Sequence, residues 1–221
     1  MVAIDQAQGP SASGRIAGPW LQAWIFIGLL AALLTVSVCV ARGFGENGLR
    51  LGSEFAWRFT FAIYFLAIVA GPVARLIPVP TLRRLCEERR QLIWGFCASF
   101  GVYLLSVALP NLVMPVGPDN EGFTASLILF VLFGIAISGI IAFAARRDAA
   151  QILGQSVRVT LLGVGMATFW LTYALGGLAR ITGPHRPEIF SGLSLSLMIL
   201  ALLLRFADGL TAKFRAPHKL A

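Results

Sequence analysis

The sequence predicts an all-α integral membrane protein, a six-helix transmembrane bundle with both termini cytoplasmic, and three observations carry that expectation. The first is composition: of 221 residues 57% are hydrophobic and 13% charged, with a mean hydropathy of +0.81, whereas an ordinary soluble domain carries roughly 25% charged residues. The second is that the apolar residues fall into six long runs separated by short polar loops. The third is an imbalance of bases between alternate loops.

A helix needs roughly 20 mostly apolar residues to cross a hydrocarbon core of about 30 Å. Residues 1–19 are rich in Ala, Gly, Ser, Gln and Pro, and their small apolar surface predicts a disordered cytoplasmic tail. The first span, 20–41, leads into Arg42-Gly43-Phe44-Gly45 without an Ala-x-Ala-like cleavage site, so it reads as a retained helix and not as a signal peptide. The remaining spans are 55–74, 91–110, 123–145, 160–178 and 189–206, giving one transmembrane domain over 20–207 and a basic cytoplasmic tail over 208–221. Hydrocarbon does not tolerate unsatisfied backbone groups, and no run alternates in and out as a barrel strand would, so each span is expected to be α-helical.

Orientation follows from the bases, because basic loops tend to stay in the cytoplasm. With six spans, one side holds Arg15, the run from Arg75 to Arg90, Arg146, Arg147 and Arg158, and the bases from Arg205 onward, which is thirteen of the eighteen. The opposite side holds Arg42, Arg50, Arg58, Arg180 and Arg186, while the ten acids divide evenly. The net charge of +8 therefore belongs to one face, which predicts cytoplasmic termini and anionic lipid head groups as the partner. A pI near 10.4 then needs no nucleic acid.

Few side chains inside the spans carry chemistry. Arg58 lies one turn into the second span and is expected to snorkel toward the head groups near Glu54. No acid lies within any span, which argues against a proton- or cation-coupled transporter. Ala70-Gly71-Pro72 and Gly176-Gly177 fall near span ends, where such residues terminate helices. The cysteines Cys39, Cys86 and Cys97 have no paired spacing and are placed in three different environments, so no disulfide is expected. Small residues four apart, Gly28 with Ala32, Gly95 with Ser99, Gly134 with Ser138 and Gly163 with Ala167, suit close helix packing or the docking of another membrane subunit.

One segment has a more particular pattern. It runs Trp57-Arg58, Ala70-Gly71-Pro72, Arg75-Leu76, Pro80-Thr81-Leu82-Arg83-Arg84-Leu85 and Arg89-Arg90-Gln91-Leu92. Here the chain resembles the ferric reductase-like transmembrane family, which includes the bacterial haem-binding membrane subunit of a methionine-sulfoxide reductase system. The resemblance implies six spans, a bacterial inner membrane and haem held by histidines on the third and fifth spans. This sequence departs from the family there: the third-span position falls at or near Tyr103, and the fifth span has no histidine. The two histidines, His185 and His218, are predicted on opposite membrane faces, and His185 sits in the turn-rich Gly183-Pro184-His185-Arg186-Pro187. No cofactor is therefore predicted; haem would require atypical ligands such as His185, Met166 or Met198.

The sequence leaves two function classes. One is a haem-less, non-catalytic structural or accessory subunit of a membrane complex, with Arg83, Arg84, Arg89 and Arg90 as the contacts to lipid or partner. The other is a membrane electron-transfer protein. Neither a hydrolytic Ser/His/Asp set nor a phosphate-cradling Gly-Lys loop is present.

Overall fold

The computed structural model describes residues 23–77, 79–113, 121–146, 148–182 and 189–215. Over these residues the chain forms eight helices: α1 (Ala23–Arg42), α2 (Glu46–Leu76), α3 (Pro80–Glu87), α4 (Arg89–Val113), α5 (Glu121–Ala144), α6 (Ala149–Leu153), α7 (Gln155–Thr182) and α8 (Ile189–Arg215). Six of them, α1, α2, α4, α5, α7 and α8, are long and apolar enough to cross a membrane. The N-terminal tail predicted over 1–19 lies outside the described residues.

Several helices outrun the predicted spans. α2 has 31 residues, about 46 Å at 1.5 Å per residue, well beyond a hydrocarbon core of about 30 Å. α8 continues to Arg215, into the segment read from sequence as a tail. Helices also run through both sites expected to end them: α2 continues past Pro72 to Leu76, and α7 past Gly176-Gly177 to Thr182. Packing overrides propensity in each case. Gly71 and Pro72 are buried in the bundle, and a Cβ on Gly177 would meet the Ser191 backbone and Ser194 Oγ at 3.5 Å, where α7 passes close to α8.

Five helices close a ring in the order α2, α4, α5, α7, α8, and α1 fills the outer groove between α2 and α4. α1 shows why it belongs there. Its inner edge carries the small residues Ala31, Thr35 and Cys39, all buried, while Phe26, Leu29, Leu33, Val36 and Val40 are exposed. This reverses the soluble pattern and suits a helix whose outer solvent is lipid. Gly43, in the left-handed region at φ 79°, makes the tight turn into α2 that a side chain would strain.

Small residues set the spacing between helices. A Cβ at Gly95 would stand 2.6 Å from Ile27, and one at Gly165 would stand 2.5 Å from Ile141, so α1 meets α4, and α5 meets α7, at close approach. Gly28 and Gly134 are likewise covered, by Ala98 and by Phe100 with Leu104. Gly163 differs from the packing expectation: nothing lies within 4 Å of a Cβ placed there.

Aromatic rings fill the ring's interior. Tyr64, Phe96, Phe100, Phe169 and Tyr173 are buried together, with Phe96 and Phe169 centroids 4.8 Å apart at 85° and Phe100 and Phe169 4.7 Å apart at 79°. Such edge-to-face pairs are the favoured aromatic geometry. Tyr64 reaches across the ring and donates its hydroxyl proton to the Met166 carbonyl.

Other donors tie the helices in the same way. Trp170 Nε1 donates to the Met198 carbonyl at 3.2 Å, Cys97 Sγ to Ser138 at 3.5 Å and Cys39 Sγ to Gly48 at 3.6 Å. A helical carbonyl keeps a second lone pair after its backbone bond, so a donor deprived of water can be satisfied without unwinding a helix. The three cysteines are free thiols, as the sequence predicts.

Candidate functional site

A group of charged side chains in described positions lies where α2 ends, α4 and α7 begin and α8 leaves the bundle. Pro80 starts α3, a position where its missing N–H costs nothing. The helix stops at Glu87, and Glu88 then accepts backbone bonds from Gln91 and Leu92 as α4 begins. The loop is thus a short separate helix lying against α2. Arg83 and Arg84 fall on α3, with their side chains outside the described residues.

Arg89 and Arg90, expected to contact lipid or a partner, are only half exposed. Arg89 turns inward: its Nε donates to the Ala67 carbonyl at 3.0 Å, joining the start of α4 to α2 beside the turn where Pro72 offers Ile68 no amide. Arg75 Nε approaches the Gly71 carbonyl at 3.4 Å. Both guanidinium groups border Gly71, since a Cβ there would lie 3.6 Å from Arg75 Nη2 and 3.8 Å from Arg89 Nη1. Arg205 on α8 lies within Coulombic reach of Arg89 and of Tyr64. Across the same face Arg158 Nε donates to Ala144 at 3.0 Å, satisfying a carbonyl at the end of α5 that has no helical partner.

Beside this cluster a groove of about 140 Å³ opens between α7 and α8, lined by Ile68, Met166, Ala167, Trp170, Ala201, Leu202 and Arg205. Its lining is apolar apart from Arg205.

At the other end of the bundle, Arg58 Nη2 lies 3.9 Å from Glu54 Oε2 and its guanidinium sits 5.1 Å from the Phe190 ring centre. Glu54 also meets Arg50 at 3.4 Å. The predicted Glu54 contact is present, and the stacking on Phe190 is an addition that sequence spacing could not reveal.

The positions relevant to haem are occupied by packed rings. Tyr103 lies 5.0 Å from Trp57 and 5.7 Å from Phe100, and Trp57 lies 4.1 Å from Tyr173. Met166 and Met198 are buried in the core, while His185 and His218 fall outside the described residues. Among the described residues no three of His, Cys, Asp and Glu converge. Where the resemblance would place a third-span histidine, the ring of Tyr103 stacks with Trp57 and Phe100.

No protein-family model, curated protein or solved structure matches the chain. What the described residues show at this end of the bundle is arginine side chains donating to helix carbonyls, beside an interior filled by packed aromatic rings.

Proposed function

We propose that this chain is a non-catalytic structural or accessory subunit of a membrane complex, related to the ferric reductase-like transmembrane domain but without its haem ligands. The observation that carries the proposal is the use of the interior: rings from α2, α4 and α7 occupy the bundle centre in mutual contact. On this reading the face bearing α3 and the arginines is cytoplasmic, the membrane is a bacterial inner membrane, and Arg83, Arg84 and Arg90 meet anionic head groups or a partner subunit. The base asymmetry supports that orientation.

The test is an oxidised and dithionite-reduced absorption spectrum of protein purified in mild detergent, with a haem assay on the same sample. The expected result is no α-band and substoichiometric haem, with a partner subunit recovered by affinity co-purification. A reduced α-band at near-stoichiometric haem would replace the proposal with the alternative, an electron-transfer protein using Met166, Met198 or His185 as ligand. Orientation has its own test. An impermeant maleimide should reach a cysteine introduced beside Asp119 from outside the cell and leave one beside Arg147 unlabelled.

A further inference from the structure

We infer that the groove between α7 and α8 holds the upper part of one acyl chain of an anionic phospholipid whose phosphate is seated by Arg205, Arg89 and Arg75. The site rests on the membrane-spanning fold and is independent of whether the bundle carries electrons.

Three placements lead to it. Arg89 and Arg75 both present guanidinium nitrogens beside the Gly71 position, within 3.8 Å and 3.6 Å of a Cβ placed there. Arg205 stands within Coulombic reach of Arg89. Like charges brought together near a membrane raise the local affinity for an anion, and planar guanidinium groups suit phosphate oxygens. Arg89 is also anchored, because its Nε is engaged by Ala67 at 3.0 Å, so it offers its remaining N–H groups from a fixed position.

The groove supplies the second half of the match. Arg205 lines it together with the apolar residues Leu202, Ala201, Ala167, Trp170, Met166 and Ile68. Arg205 lies toward the C-terminal end of a helix predicted to cross the membrane, and Ile68, Met166 and Ala201 lie deeper in their helices. An open groove of about 140 Å³ with an apolar wall has room for a short stretch of hydrocarbon, comparable to the benzene-sized ligand that an apolar cavity of roughly that volume accepts. A ligand with a phosphate at one end and a flexible hydrocarbon at the other matches both parts. A free phosphate matches only the first, and a zwitterionic lipid brings a cation against three arginines.

Trp170 lines the groove and provides a reporter. Full-length protein in mild detergent is titrated with phosphatidylglycerol carrying brominated acyl chains, then with the matching brominated phosphatidylcholine, while tryptophan fluorescence is followed. The expected result is saturable quenching by phosphatidylglycerol at a lower concentration than by phosphatidylcholine. Unbrominated phosphatidylglycerol should reverse it, and inorganic phosphate should not. Trp170→Phe should remove the saturable component. Because Trp170 also bonds to Met198, the independent variant is Arg205→Gln, at an exposed side chain. It should weaken phosphatidylglycerol about fivefold, and Arg75→Gln with Arg205→Gln about twenty-fivefold, at roughly one base's contribution each, with phosphatidylcholine unchanged. Equal quenching by the two lipids, quenching that survives Trp170→Phe, or indifference to Arg205→Gln would each overturn the site. Reversal by inorganic phosphate would replace the lipid with a simple anion.

Discussion

α2 and α5 are both long transmembrane helices, yet the more apolar of the two is the less buried. α5 has the most apolar stretch of the six and buries 17% of it, whereas the less apolar α2 buries 44%. In water the order would be reversed, since burial there follows hydrophobicity. In lipid the outside is as apolar as the interior, so hydrophobicity ceases to say which helix lies within. What distinguishes α2 is fit and hydrogen bonding: Gly52 admits Cys39, Tyr64 reaches Met166 and Ala67 receives Arg89. α5 instead turns Ile128, Leu129, Leu132 and Phe133 outward.

That contrast can be broken by substitutions whose effects are read as unfolding in detergent followed by circular dichroism. The largest loss is expected from Phe96→Ala, which empties a fully buried site between rings. It should cost about 2–3 kcal/mol, toward the cavity part of the roughly 3–5 kcal/mol seen in soluble cores, because the transfer to water is absent. Gly165→Val should cost about 2 kcal/mol by forcing α7 from α5, and Gly163→Val should be nearly silent, since one Cβ meets Ile141 and the other meets nothing. Equal effects at the two glycines would mean that the α5/α7 approach does not limit stability.

Tyr64→Phe removes only the bond to Met166, and a loss of about 0.6–1 kcal/mol is expected, the usual range for a hydrogen bond inside a membrane protein. Leu129→Ala on α5, at a side chain 68% exposed, should change stability by less than about 0.5 kcal/mol. A larger effect there would place a protein surface, and not lipid, against α5.

Membrane character and span count were legible because hydropathy is a property of each segment by itself. The ends were harder. α2 begins at Glu46, before the apolar run from 55, since Gly48 and Gly52 pack on the turn and on Cys39 and hydropathy does not register fit. Pro72 read as a stop because local propensity ignores neighbours.

The basic face was legible in part. Arg83, Arg84, Arg89 and Arg90 stand out as a sequence cluster, but Arg89 is tied inward to Ala67. Arg205, its neighbour across the fold, is over a hundred residues away in sequence. Only the return of α8 to α2 brings them together. Arg75 was visible as a topological charge, with no signal that its guanidinium borders the same glycine as Arg89.

The Tyr64 bond has a consequence for biosynthesis. Its acceptor lies 102 residues further along the chain, which at roughly 5–20 residues per second leaves about 5–20 s between the emergence of donor and acceptor from the ribosome. During that interval α2 resides in the bilayer with a phenol that has no Met166 to meet. The ring cannot close until α8 follows α7 and returns to α2, so until then the early helices form an open arc, with α1 packed against α2 and α4.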